Sequence, residues 1–174
     1  ICSPITDQYL PSEQTHLKTG TFNLGFVAIK NNEVGRDIAL WWSEKCHLSC
    51  FNDPVSGLFV DQKWTNLIPA LFDGIFISRH LGLNVAYWNL HERYVDNTQD
   101  NTQVNKQYDL VFFHFSGFVF DDINVISKYQ NRFTLEQRQD LLVLFTDYRL
   151  KLEAAIAELP VLPDYAYNHY LDGR

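Results

Sequence analysis

The chain has 174 residues, enough for one domain and short for two. Apolar residues make up 46% and charged residues 20%, so a sizeable core can form and wholesale disorder is excluded. With 14 Lys and Arg against 21 Asp and Glu, the net charge of −7 removes the counterion-release drive toward nucleic acid or anionic lipid.

The run from Gly20 to Lys30 reads as a strand, with Phe22, Leu24, Phe26 and Ala28 alternating against Asn23, Gly25, Val27 and Ile29. Asn31 or Asn32 can cap a helix over Glu33 to His47. In it Val34, Ile38, Trp41, Trp42 and Cys46 recur at helical spacing, which predicts an aromatic face packed on a sheet. Asn52 to Gly57 is loop-like in composition. Asp61 to Phe72 reads as a second helix, with Trp64, Leu67, Ile68 and Leu71 on one side and Pro69 bending it.

Ile75 to Ser78 and Val85 to Leu90 read as short strands, and the polar run Asp96 to Lys106 as a mobile surface loop. Leu110-Val-Phe-Phe-His-Phe115 reads as a buried strand. Thr134 with Gln137 matches a capping box that opens the longest helix, Thr134 to Leu159. Its inward stripe is Leu141, Leu142, Phe145, Tyr148, Leu152 and Ile156. The predicted order is mixed α/β, without βαβαβ regularity or an internal repeat.

No apolar run approaches the roughly 20 residues that cross a bilayer, and Ile1 to Leu10 lacks the pattern of a signal peptide. The chain has no Met, which leads us to expect a portion of something longer, and the ordinary-looking tail Tyr165 to Arg174 agrees. Three cysteines, Cys2, Cys46 and Cys50, do not make a disulfide framework. Cys46 and Cys50, with His47 between them, read either as half a metal site or as small apolar fillers; the lack of a second cluster favours fillers.

No GxGxxG, Walker loop, GxSxG or HExxH occurs. Three local patterns remain. In Phe22-Asn-Leu-Gly-Phe26, the glycine allows close approach to the backbone and Asn23 offers donors and acceptors to a polyhydroxylated ligand; a bulged strand is the plainer reading. In Gly57-Leu-Phe-Val-Asp-Gln-Lys-Trp64, Asp61 and Gln62 either cap a helix or aim a carboxylate and an amide into a cleft. In Phe112-Phe-His-Phe-Ser-Gly-Phe118, His114 is either a core histidine or a ligand or base at a strand end, and Ser116-Gly117 can hold a phosphate oxygen. Ser127-Lys128-Tyr129 follows, with a cation and a hydroxyl for a diphosphate or, more plainly, a solvated lysine.

In this order the patterns resemble the second half of a GT-A-fold, nucleotide-sugar-dependent glycosyltransferase. The likeness is to bacterial enzymes of surface polysaccharide and lipopolysaccharide synthesis, and also to retaining galactosyl- and glucosyl-transferases. It covers roughly Pro4 to Tyr129 and the long helix after it, with Trp41-Trp42 and Asn84-Val-Ala-Tyr-Trp-Asn89 between the motifs. The implied fold is α/β, the mixed-sheet C-terminal half of a GT-A domain with a long C-terminal helix.

The resemblance implies that His114 binds a divalent metal, Mn²⁺ or Mg²⁺, bridging the donor diphosphate. Ser116, Gly117 and Lys128 would lie along that diphosphate, and Asn23 and Gly25 would line the floor beneath donor and acceptor. Asp61 and Gln62 would flank the anomeric carbon, with Asn84, Trp88 and Asn89 toward a saccharide acceptor. The family's Asp-x-Asp, which supplies further metal ligands, is absent; Asp121-Asp122 lies after the His motif, on the wrong side.

The nucleotide-binding half is therefore expected upstream. The 174 residues alone, one domain portion, are expected to be inactive, with a partner or second copy covering the exposed edge of the split sheet. The reading implies transfer with retention, with inversion through Asp61 as base left open, no nucleic acid partner, no membrane span, and a cytoplasmic location, peripheral at the inner membrane. A non-catalytic carbohydrate-binding or scaffold module, and a metal-independent hydrolase built on Asp61 and His114, are the alternatives.

Overall fold

The structure, a computed structural model, describes residues 1–98 and 101–160. The tail Tyr165 to Arg174 and two residues of the polar run, Gln99 and Asp100, lie outside the described residues. The chain folds as mixed α/β, with two small antiparallel sheets and a long helix toward the C-terminus.

Helix α1 spans Glu13–Thr19 and α2 spans Glu33–Ser49. The Asn32 side chain accepts from Gly35 N–H at 2.9 Å, so the asparagine cap read from the sequence starts α2. The α2 aromatic face packs on the segment after the first hairpin rather than on a sheet. Trp41 meets Trp64 and Phe72 edge-on at 6.4 and 5.8 Å. Two indoles tie the elements together: Trp42 Nε1 donates to Asp61 O (3.1 Å) and Trp64 Nε1 to Ser49 O (3.2 Å).

The expected loop at 52–57 is a hairpin. Strands β1 (Asn52–Asp53) and β2 (Leu58–Phe59) pair antiparallel around a 3₁₀ turn, Pro54–Ser56, that ends on Gly57 at φ 81°. The single helix expected over 61–72 is a 3₁₀ segment, Lys63–Leu67, running into the short α3, Ile68–Leu71. Pro69 falls in the first turn of α3, where its missing N–H leaves no bond unmade.

The strands expected at 20–30, 75–78, 85–90 and 110–115 do not form ladders. A strand needs a neighbour for its N–H and C=O groups, and no described strand pairs with 26–30 or 75–78. Phe26 and Phe76 are accordingly 65% and 88% exposed. Residues 110–115 are half-buried rather than buried, with Val111 exposed, and make one parallel bridge, Val85 to Phe113. After that bridge the 85–90 run turns into a 3₁₀ segment, Tyr87–Asn89.

The polar run expected to be mobile instead carries a three-stranded antiparallel sheet in the order β3 (Val95–Asn97), β4 (Thr102–Val104), β5 (Tyr108–Asp109). Paired Val95 and Val104 are buried, whereas Asn97, Thr98 and Asn101 are exposed.

Thr134 and Gln137 close a turn, with Thr134 N–H donating to Gln137 Oε1 at 3.0 Å, but the helix begins later. A 3₁₀ turn at Gln139–Leu141 leads into α4, Leu142–Glu158. Leu141 and Phe145 are fully buried, whereas Leu142 and Ile156 of the expected stripe are exposed. The core joins these to Val85, Leu90, Val95, Val104, Ile126 and Leu135, with the rings of Phe113, Phe115 and Phe118 against it. Phe115 stacks flat on Tyr148, centroids 3.9 Å apart.

Three buried arginines bind carbonyls of turns and irregular segments. Arg138 donates to Leu90 O and Arg93 O, both at 2.7 Å, and pairs with Asp140. Arg132 donates to Tyr9 O and Pro11 O and pairs with Asp7, laying the N-terminal segment on the body. Arg93 donates to Leu81 O and Leu83 O, at 2.9 and 2.6 Å. A buried guanidinium with several carbonyl partners satisfies backbone acceptors of irregular segments and ties those segments together.

Candidate functional site

The Val85–Phe113 bridge sets the site. Val85 N–H donates to Phe112 O and His114 N–H to Val85 O (2.7 Å), so Asn84 and His114, the residues flanking the bridge, stand side by side. Asn84 adopts φ 53°, a left-handed conformation that asparagine tolerates better than most residues. It is fixed from behind, where Asn89 Nδ2 donates to its carbonyl at 2.8 Å and Arg93 holds the preceding one.

Against this pair the turn at 20–25 brings Asn23 and Gly25. Asn23 Oδ1 accepts from Gly25 N–H (2.8 Å) and from Asn84 Nδ2 (2.9 Å), and Asn23 Nδ2 donates to Gln62 Oε1 (3.1 Å). Gln62 Nε2 donates to Thr19 O at 3.1 Å. His114 Nδ1 lies 3.2 Å from Asn84 Oδ1. Residues from all three sequence patterns thus meet in one continuous hydrogen-bonded row: Gln62, Asn23, Asn84, His114. Gly25 lets the row close up, because a Cβ there would stand 2.5 Å from Asn84 Oδ1 and displace it.

Burial lowers the His114 pKa below the ordinary imidazole value, favouring the neutral ring. Trp88 packs its ring edge-on to the imidazole at 5.1 Å. An open cleft of about 470 Å³ adjoins, lined by Gly25, Phe112 to Ser116 and Tyr148.

Asp61 is half-buried beside Gln62, and the residue before it, Val60, has φ 40°. A left-handed conformation at a β-branched residue is strained, on the order of 1–3 kcal/mol. The strain is held by Val60 N–H donating to Phe51 O and by the Trp42 indole on the Asp61 carbonyl.

The phosphate-binding candidates form a second group. Gly117, at φ 70°, packs so closely on Ser127 and Tyr129 that a Cβ would stand 2.6 Å from each. Its carbonyl accepts from Lys128 N–H at 2.9 Å, and the exposed Lys128 ammonium lies 5.1 Å above the Tyr129 ring. Ser116 N–H is already used, donating to His114 O.

Trp88 and Asn89, expected toward an acceptor, are buried at 8% and 2% exposure. Both ends of the Asn89 amide are consumed, on Ala86 N–H and the Asn84 carbonyl, so Asn89 shapes the Asn84 turn. Among the described residues no group of three or more His, Cys, Asp or Glu side chains is placed to hold a metal. Mn²⁺ or Mg²⁺ wants about six mostly oxygen ligands, so a lone imidazole does not fit a resident divalent cation. Cys46 and Cys50 are free thiols, and burial raises the Cys46 pKa, as for a structural filler.

Sequence reading missed Arg93, Arg132 and Arg138. A basic residue inside a largely apolar stretch such as Val85 to Val95 was the available signal.

The chain is 28% identical over 155 residues to the uncharacterized protein YfnD of Bacillus subtilis, an alignment covering 86% of this chain and 48% of that one. It is 30% identical over 109 residues to the uncharacterized protein YfnF of the same organism, covering 63% and 36%. The chain therefore spans less than half the length of either relative. No protein-family model matches it, and no solved structure does. Among the described residues no helix is long and apolar enough to cross a membrane.

Proposed function

We propose that this chain supplies the sugar-facing half of a nucleotide-sugar-dependent glycosyltransferase of the GT-A type, acting on a saccharide or lipid-linked saccharide in the cytoplasm. The observation that carries the reading is the row Gln62, Asn23, Asn84, His114, assembled from three motifs far apart in sequence. Fixed amides and a neutral imidazole beside aromatic rings are the groups that bind sugar hydroxyls.

In this reading Asn23 and Asn84 form the floor under the transferred sugar. Gln62 orients it, and the Asp61 carboxylate stabilises the oxocarbenium-like centre or takes the acceptor proton. Gly117 and Lys128 lie where a departing diphosphate would be neutralised. Among the described residues no group of three metal-ligating side chains gathers at His114, so a divalent cation on the diphosphate would need ligands from the rest of the protein.

The test is to give the whole protein labelled nucleotide sugars and to compare Asp61→Asn. Transfer that depends on Asp61 supports the reading; the absence of transfer and of donor hydrolysis across the common nucleotide sugars overturns it. The lack of a metal cluster among the described residues favours a second reading, a non-catalytic carbohydrate-binding module. Glycan binding by these 174 residues without nucleotide or metal, together with no transfer by the whole protein, would select it.

A further inference from the structure

We infer that Asn23 is a positioning residue that sets the tautomer of His114 through Asn84. Two backbone groups whose roles cannot reverse fix the direction of the row. Gly25 N–H can only donate, so the Asn23 atom 2.8 Å from it is the carbonyl oxygen. Thr19 O can only accept, so the Gln62 atom 3.1 Å from it is the amide nitrogen.

With both ends assigned, every link between follows. Asn23 turns Nδ2 to Gln62 Oε1, and Asn84 turns Nδ2 to Asn23 Oδ1. That leaves Asn84 Oδ1, an acceptor, facing His114 Nδ1 at 3.2 Å. An acceptor there requires the proton on Nδ1. In a neutral imidazole the lone pair then belongs to Nε2, which has no hydrogen-bond partner among the described residues.

The row is one-way: each amide donates toward Thr19. A hydroxyl donating to Nε2 would extend it in the same direction, and aligned hydrogen bonds polarise one another. Nε2 is thus presented as an acceptor or base for a ligand hydroxyl. That last step, the hydroxyl being a saccharide's, rests on the proposed function; the tautomer does not.

Substitutions at Asn23 separate positioning from packing. In Asn23→Leu the Asn84 amide loses its fixed acceptor and is free to turn over, offering Nδ2 to the ring and moving the proton to Nε2. In Asn23→Asp an acceptor for both Gly25 N–H and Asn84 Nδ2 remains, so the tautomer stays. Two-bond proton–nitrogen correlation of the imidazoles, on the ¹⁵N-labelled 174-residue chain without saccharide at neutral pH, reads this directly, with His114 assigned from the spectrum of His114→Gln.

The expected result is a predominantly Nδ1-protonated His114 in the parent chain, a several-fold loss of that form in Asn23→Leu, and its retention in Asn23→Asp. A parent His114 that is mainly Nε2-protonated overturns the inference without any variant. So does an unchanged tautomer in a folded Asn23→Leu. Because no sugar is present, failure of glycosyl transfer leaves this test untouched.

Discussion

Gly25 lies so close to His114 that a Cβ on it would stand 2.8 Å from the imidazole Nδ1. The Asn84 oxygen that faces the same nitrogen would be closer still, at 2.5 Å. Gly25→Ala is therefore expected to push the imidazole and its acceptor apart. The atoms displaced are side-chain ends, so the stability loss should be modest, about 1 kcal/mol. Under the proposed function, saccharide affinity should fall by about tenfold or more. Thermal unfolding and ligand titration check the two; an Ala variant with full affinity would remove Gly25 from the site.

Gly82→Ala is expected to act on the fold itself. Gly82 is buried, its carbonyl accepts from Val111 N–H, and a Cβ would stand 1.9 Å from Asp109 O. Backbone cannot give way as a side chain does, so a loss of about 3 kcal/mol is expected in denaturant unfolding. The Val85–Phe113 bridge should loosen with it, visible as faster exchange of the His114 amide.

Arg138 is 3% exposed, binds the Leu90 and Arg93 carbonyls and Asp140, and lies 4.7 Å over the Tyr94 ring. Arg138→Ala would leave those carbonyls and a carboxylate without their cation, a loss of about 3–5 kcal/mol. Arg138→Lys should rescue little, because an ammonium cannot span the same fork of acceptors. Melting temperatures of the two variants decide it.

The stability of this protein should fall in mild acid. Burial, the first cause, holds His16 at about 4 against its ordinary 6.5, so between those values the unfolded chain binds more protons. Stability therefore drops as pH falls from about 6.5 toward about 4. Asp7, lowered by its hydrogen bonds to Arg132, adds a second loss below its ordinary 3.8. His16→Gln should flatten the upper part of the profile and leave the lower part, as read from melting temperature against pH.

Asn105 and Lys106 both have positive φ, 55° and 56°, in the turn closed by Gln107 N–H on Val104 O. Lys106→Gly would relieve one left-handed side chain and create the Asn-Gly pair such turns prefer. A gain of about 0.5–1 kcal/mol in urea unfolding is expected; a loss would mean the turn is not formed.

Features with local causes were legible in the chain of residues alone. The Asn32 cap and 3.6-residue periodicity of α2, the buried positions Leu141 and Phe145, and the mixed α/β class follow from neighbouring residues. The sequence also picked out Asn23, Gln62, Asn84 and His114 one by one. Their hydrogen-bonded row was beyond it, because that row depends on contacts 30 to 61 residues apart in the chain.

Tertiary structure alone decided which apolar alternation became a ladder. Phe22 to Ile29 alternates as well as any strand, yet no described segment supplies partners for its backbone. The polar run does take part in a ladder, because the buried valines at its flank and within it, Val95 and Val104, pair across the two strands. A strand is a property of two segments, and hydrophobic pattern in one of them carries no record of the other.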